Sequence, residues 1–232
     1  MGAAVESRYS FRAGPYSSHS LLLAAFPVKG EGRRVLDLGC AGGYLATALA
    51  QRGYRVTGVE QPGGAPPGFP REVELVEADL DRGLPRLKGQ FDYVLCADVL
   101  EHLKDPVKLL GEIRNVLALD GRVIASLPNS GNLYFRLNIL AGRFPRHAHG
   151  LFDRTHLHFC MWANWVELFR SAGFAREKFH SSGIPVGLAF SSLAHTLPIR
   201  AAERVSYELA RIWKTMFAYQ FIVTWRPAGG RA

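Results

Sequence analysis

Cysteine is scarce in this sequence. Cys40, Cys96 and Cys160 are the only three in 232 residues, too few and too scattered for a disulfide framework or a four-cysteine zinc site. A reducing compartment, and hence the cytoplasm, is the expectation. Long apolar runs are also missing. The greasiest stretch, Ile184 to Leu197, is broken by Pro185, Ser191, Ser192 and His195, and it falls short of the roughly 20 residues a membrane helix needs. Met1 to Ser10 has no basic start followed by an apolar run, so no secretory signal is read there. Internal repeats and low-complexity tracts are lacking, which removes solenoids and disordered arrays. Acidic residues run short in one region only. Residues 1–120 hold 14 Lys and Arg against 15 Asp and Glu, whereas residues 121–232 hold 14 against 5. The net charge of +8 is therefore entirely C-terminal, and so are six of the eight histidines. A solvated basic surface is one reading of that asymmetry. An anionic acceptor, a nucleic acid or an acidic membrane face is the other.

What remains is an ordinary globular composition, with 48% apolar and 21% charged residues, in a length that suits one domain with insertions. Arg33 to Leu38 is a short apolar run ending in Asp and Gly, as in a buried parallel strand that stops at a ligand-facing loop. Tyr44 to Arg52 follows with Leu45, Ala48 and Leu49 at helical spacing, and Gly53 stops it. Tyr54 to Val59 is a second strand, which completes a right-handed crossover unit. Val73 to Val76, Phe91 to Cys96 and Arg122 to Leu127 are predicted as the third, fourth and fifth strands, with a helix from Asp105 to Leu117 opened by Pro106. The alternation breaks after Pro128. Helices are predicted over Asn132–Leu140, Trp162–Ala172 and Ala201–Lys214, a lid over Gly183–Pro198, and strands over Arg176–His180 and Phe217–Trp225. Residues 30–128 are thus the expected cofactor core, 129–200 the acceptor-side insertions, and 201–232 the last helix and strand of one domain.

In open α/β sheets ligands bind beyond the carboxyl ends of the strands, at the switch point beside the first strand. There the chain reads Asp37-Leu38-Gly39-Cys40-Ala41-Gly42-Gly43. Glycines let backbone N–H groups approach a ligand, since no Cβ intervenes. Glu60, at the end of the second strand with Gln61 after it, lies 21 residues beyond Gly39, where a carboxylate accepts from ribose hydroxyls. The pairing points to an adenosine-containing cofactor. A dinucleotide fingerprint starting at Gly39 requires glycine at 41 and glycine or alanine at 44; the chain has Ala41 and Tyr44, so that fingerprint fails.

VLDLGCAGGYL resembles instead the first motif of class I S-adenosyl-L-methionine-dependent methyltransferases. Val76-Glu77-Ala78-Asp79-Leu80 resembles that family's loop after the third strand, which implies that Asp79 accepts from the adenine amino group while Leu80 packs on the ring. Phe91 to Leu103 resembles the fourth strand and the loop lining the sulfonium side, with Ala97, Asp98, Val99 and His102 as implied cofactor contacts. Leu127-Pro128-Asn129 and the run Gly150 to Phe159 are similar to standalone small-molecule methyltransferases related to the methionine-biosynthesis W-type and ubiquinone-pathway O-methyltransferases. The resemblance implies a doubly wound, Rossmann-like seven-stranded sheet, mostly parallel with an antiparallel last hairpin, and helical or lid insertions after the fifth strand. Methyl transfer to a small acceptor, most readily an oxygen, is the expected activity.

Several residues carry two readings. Asp98, Glu101 and His102 form D-x-x-E-H; some ubiquinone-pathway relatives bind a divalent cation with a similar motif, but a hydrogen-bonded His102 shaping the loop is the preferred reading, and no metal is assigned. Cys40 is read as small filler rather than a nucleophile. Trp162, Trp165 and Phe169 have the spacing of a core-facing helix rather than an aromatic box. His156 and His102 are the candidate catalytic residues, His156 as the base that takes the acceptor's proton. His158, two residues on, points the same way if the segment is extended. Asn129, Arg143, Arg146, Arg154, Thr155 and His158 are the expected acceptor contacts, the arginines because an anionic acceptor suits a guanidinium. Neither DNA nor a particular oligomeric state is predicted. An RNA or protein methyltransferase, a non-catalytic cofactor-binding regulator, and an enzyme touching a membrane through Leu133, Leu137, Leu140, Arg136 and Arg143 are the alternatives.

Overall fold

A computed structural model describes residues 14–189 and 196–229. Seven strands form one sheet: β1 (Arg34–Leu38), β2 (Arg55–Glu60), β3 (Glu74–Glu77), β4 (Phe91–Ala97), β5 (Leu117–Pro128), β6 (Phe174–Ser181) and β7 (Gln220–Pro227), in the order β3-β2-β1-β4-β5-β7-β6. The first five run parallel, while β7 lies antiparallel to both β5 and β6. This is the expected sheet with its antiparallel last hairpin. Strand order reverses between β1 and β4, which sets the crevice at their carboxyl ends.

Period-2 alternation sorts the strands' side chains to two faces. Leu36, Leu38, Val94 and Val123 face one core, which is closed by α3 (Pro106–Val116) and α5 (Trp162–Ser171). Val35, Val56, Leu95 and Ile124 face the other, closed by α1 (Ser18–Ala25) and α2 (Tyr44–Ala50). Trp165 and Phe169 are fully buried, Trp165 with its indole N–H on the Pro128 carbonyl at 2.9 Å, so they belong to the core, as the spacing implied. α1 has no counterpart among the predicted elements, because its leucines run together instead of recurring at helical spacing. β5 begins five residues before the prediction, since Leu117 already pairs with Phe91 ahead of the bulge.

Beyond β5 the chain forms α4 (Leu133–Leu140), the loop of residues 141–161, α5 and β6, then α6 (Val186–Ala189), α7 (Leu197–Ile212) and α8 (Lys214–Phe217). The predicted lid over Gly183–Pro198 falls partly on residues 190–195, which lie outside the described residues. Among the described residues no helix is long and apolar enough to cross a membrane.

Candidate active site

β1 delivers the chain into a turn whose residues alternate into the left-handed region: Gly39 at φ 64°, Ala41 at φ 48° and Gly43 at φ 73°. The N–H groups of Gly39 and Cys40 donate to the Val59 carbonyl at 2.8 and 3.2 Å, which ties the turn to β2. Glu60 finishes the job: Oε2 accepts from Ala41 N–H at 2.8 Å and Oε1 from Gln61 N–H at 3.0 Å. Each oxygen keeps acceptor capacity for a ligand hydroxyl. The sequence argument placed Gly39's importance in close approach to a ligand. The structure adds a nearer reason, since a Cβ there would sit 2.8 Å from Val99 Cγ2. Cys40 is buried against Gly58, where a Cβ would meet its sulfur at 2.7 Å. Burial, then the charges of Asp37 and Glu60, push its thiol far up, so it is filler.

Asp37 is 2% exposed, and its carboxyl has no hydrogen-bond partner among the described residues. Burial, followed by the charge of Glu60, pushes it up to about 8. A buried, unpartnered carboxyl beside a second acid and an open glycine turn suits a ligand that brings both a positive charge and hydroxyl donors, which S-adenosyl-L-methionine does. Asp79 caps the turn Leu80–Arg82, accepting from Asp81 N–H at 3.0 Å and pairing with Arg82 at 3.4 Å. Leu80 packs half-buried on the core. Asp98, just past Ala97 at the end of β4, is held at φ 55°. Its N–H donates to Ser126 Oγ at 3.0 Å, while its Oδ1 accepts from Ser126 Oγ at 2.8 Å and from Gln220 Nε2 at 2.6 Å. Asp98 is thereby engaged by β5 and β7 rather than grouped with Glu101 and His102 in a three-residue set.

Next to this lies an open cleft, lined among others by Glu101, His102, Leu151, Asp153, His156 and Tyr219. His156 is 8% exposed and Glu101 only 1%. His156 Nε2 lies 4.0 Å from Glu101 Oε1, and Glu101 Oε2 is buried with no partner. Burial, then the neighbouring His102, lowers His156 to about 4, and burial, then Asp98, raises Glu101 well above the carboxylate range. Burial thus disfavours the charged form of both groups. His102 packs edge-on to His156 with ring centroids 4.8 Å apart, and its Nδ1 sits 3.1 Å from Thr155 Oγ1 and 3.2 Å from the Thr155 carbonyl. Thr155 Oγ1 donates in turn to Asp153 Oδ1 at 2.6 Å. Burial opposes ionisation of Asp153, but the Thr155 bonds outweigh it and hold the carboxyl below its usual range.

Other predicted contacts fall elsewhere. Asn129 is fully buried; its amide accepts from Gly131 N–H at 2.9 Å and donates to the Ala218 carbonyl at 2.8 Å, so it braces the turn before α4 instead of reaching an acceptor. His158 diverges from His156, with Nε2 2.8 Å from the Leu103 carbonyl. The segment is not extended, because His156 N–H turns back to the Asp153 carbonyl and both Leu157 and His158 N–H donate to the Glu101 carbonyl. Arg143, Arg146 and Arg154 are exposed and do not line the cleft; Arg146 donates to the Arg154 carbonyl. Glu101, Asp153, Tyr219 and Gln220 line the cleft without having been singled out as site residues. Glu101 was legible within D-x-x-E-H, whereas Tyr219 and Gln220 carry no local signal.

A sheet in this order, with a glycine turn after β1, an acid ending β2 and a cleft beyond β4 and β5, defines a class I methyltransferase. Residues 10–178 match the methyltransferase domain family, and the chain belongs to it; its cofactor is S-adenosyl-L-methionine. A ubiquinone biosynthesis O-methyltransferase of Aeromonas salmonicida is 31% identical over 121 residues, covering 49% of this chain and 50% of that protein. The chain thus matches about half the length of such curated relatives. Among solved structures, a methyltransferase of Bacillus halodurans superposes with TM-score 0.60 at 17% identity, covering 91% of this chain and 99% of that one. A 1,6-didemethyltoxoflavin-N1-methyltransferase of Burkholderia thailandensis, bound to its substrate and S-adenosylhomocysteine, gives 0.55 at 18% identity over 91% and 76% of the two chains. At these identities the structures speak for the fold alone.

Proposed function

We propose that this chain transfers the cofactor's methyl group to an oxygen of a small acceptor held in the cleft beside Glu101 and His156, and that His156 receives the acceptor's proton. The observation that carries the reading is the buried His156–Glu101 pair in the cleft wall, with Nε2 4.0 Å from Oε1. A neutral imidazole has a lone pair to offer the acceptor's proton at physiological pH. When bound, the cofactor supplies an activated methyl on a sulfonium, so the chain's own residues chiefly align the acceptor and exclude water. Glu60 and Asp37 hold the cofactor in this reading, and His102, fixed by Thr155, shapes the wall between cofactor and acceptor. The oxygen acceptor draws support from the ubiquinone-pathway relatives. A reducing, cytoplasmic setting agrees with three free thiols.

Release of S-adenosylhomocysteine from a panel of hydroxyl- and amine-bearing acceptors tests the reaction. Turnover with hydroxyl acceptors that falls in His156→Ala while cofactor affinity holds is the expected result; cofactor binding without turnover on any acceptor favours the non-catalytic alternative. A second reading rests on one observation. Glu101, His102 and His156 each present a ligand atom, all within 4.8 Å of one another, which suits a divalent cation. Activity unchanged by chelation excludes that role.

A further inference from the structure

His102 closes the turn Leu100–His102, and the loop of residues 153–158 is folded against it. Leu157 and His158 N–H donate to the Glu101 carbonyl at 2.8 and 3.2 Å, which sets how far the loop stands from the His102 ring. Asp153 and Thr155 occupy the part of that loop nearest the ring, and the proton transfer to His156 makes no use of either.

Asp153 is buried, and its Oδ1 accepts twice from one residue, from Thr155 N–H at 2.8 Å and from Thr155 Oγ1 at 2.6 Å. A hydroxyl has one proton to give. With that proton committed to a carboxylate, Thr155 Oγ1 is left with lone pairs alone for whatever stands on its other side. There stands His102 Nδ1, at 3.1 Å, and the second atom facing Nδ1 is the Thr155 carbonyl oxygen, at 3.2 Å. Both partners of Nδ1 are acceptors. Nδ1 therefore carries the proton of the neutral ring, and the lone pair falls on Nε2.

His102 lines the cleft, its Nδ1 edge is turned to Thr155, and Nε2 has no hydrogen-bond partner among the described residues. His156, packed edge-on with ring centroids 4.8 Å apart, flanks the ring on another side. Without the Asp153 carboxylate the Thr155 hydroxyl would be free to turn and donate to Nδ1, and Nε2 would then become a donor. The carboxylate thus decides, through one hydroxyl, what the far nitrogen offers.

We infer that Asp153 and Thr155 are positioning residues that fix His102 in its Nδ1–H tautomer, so that Nε2 presents a lone pair to the cleft and accepts a hydrogen bond from the methyl acceptor. A wall that accepts at this point orients a molecule through its O–H or N–H and turns away one that offers only a carbonyl or ether oxygen there. The second half rests on the acceptor cleft proposed above; the first stands on the hydrogen bonds alone.

Nitrogen NMR spectra of ring-labelled histidines, recorded with a chelator present and with His102 assigned by its loss in His102→Asn, test the tautomer. A protonated Nδ1 and a bare Nε2 are expected. Asp153→Ala should bring up the Nε2–H form and lower kcat/KM for the methyl acceptor by about tenfold. Adding Thr155→Val removes the competing donor and leaves only a carbonyl before Nδ1, so the double variant should return toward the wild-type tautomer and rate. A carboxylate that merely braced the loop would leave the double variant no better than the single one; that result, or a wild-type His102 protonated on Nε2, overturns the inference. His102→Asn keeps a donor in place of Nδ1 and removes the lone pair, and it decides the matter even if Asp153→Ala does not fold. It should lower kcat/KM for the acceptor by about tenfold as well, with Tm and cofactor affinity unchanged. Full turnover in that variant overturns the contact with the acceptor, as does activity lost on chelation, because Nε2 then serves a cation. The expected tautomer without turnover on any acceptor upholds the positioning pair and removes the chemistry proposed above.

Discussion

Asp37 carries an unusually sharp consequence for stability. In the cofactor-free protein its carboxyl is pushed up from 3.8 to about 8, by burial first and Glu60 second. An acid raised in this way binds one more proton folded than unfolded across the interval between the two values. Its contribution is therefore intact below about pH 4 and is lost progressively as pH rises toward 8, at up to about 1.4 kcal/mol per unit. By pH 7 the loss reaches at most about 4 kcal/mol on the same arithmetic, and relaxation around the carboxylate makes about 2 kcal/mol a fair expectation. Asp37→Asn keeps the shape and removes the ionisation. Urea melts from pH 4 to pH 8 should show the variant equal to wild type at the acid end and more stable at pH 7. Its affinity for S-adenosyl-L-methionine should move the other way, falling by about 10- to 150-fold if a charge-assisted bond is lost. Stability profiles that run parallel over the whole range would refute the reasoning, because they would mean that Asp37 ionises alike in both states.

Glu60→Ala should lower cofactor affinity by a similar 10- to 150-fold and loosen the Gly39–Gly43 turn, since Ala41 N–H loses its acceptor; calorimetry reads the first and amide exchange the second. His156, lowered from 6.5 to about 4, should destabilise the fold as pH falls through that window by up to about 3 kcal/mol, and His156→Gln should remove that part of the acid sensitivity in thermal melts. The same variant should cut kcat by roughly 10²–10⁴-fold with cofactor affinity kept; full turnover would take His156 out of the mechanism. Phe152→Ala should cost about 3–5 kcal/mol and release α4, whose Phe135 stacks on it, visible as lost exchange protection over residues 133–140 with little change in α3.

The cofactor half was readable because its determinants are local. β1, α2 and β2 follow one another with continuous apolar strands and a helical repeat between them, and the glycines and Glu60 sit at the strand ends where the crossover geometry must bring them. Asp79 and Asp98 were placed at the right ends of the right strands, although Asp98 proves to be braced by Ser126 and Gln220. The acceptor side was less legible because its shape rests on long-range bonds. Leu157 and His158 N–H reach back to the Glu101 carbonyl, which brings His156 to Glu101 but rotates His158 away. No spacing rule foresees that. Asn129 looked like a ligand contact because polar residues after a strand end often are; its burial and its bond to the Ala218 carbonyl are properties of a neighbour some ninety residues later. The arginines were recognised as meaningful by composition, but composition does not say which way a side chain faces.

The bond from Gln220 to Asp98 spans 122 positions of the chain. A polypeptide emerging from the ribosome completes β1, β2 and the glycine turn long before β7 exists, and N-terminal regions fold as they appear. Until β7 is in place Asp98 lacks its bond from Gln220, and β5 lacks its antiparallel neighbour. Contacts this distant in sequence are slow to form. Whatever share of cofactor affinity depends on Asp98 should therefore be complete only once β7 lies between β5 and β6.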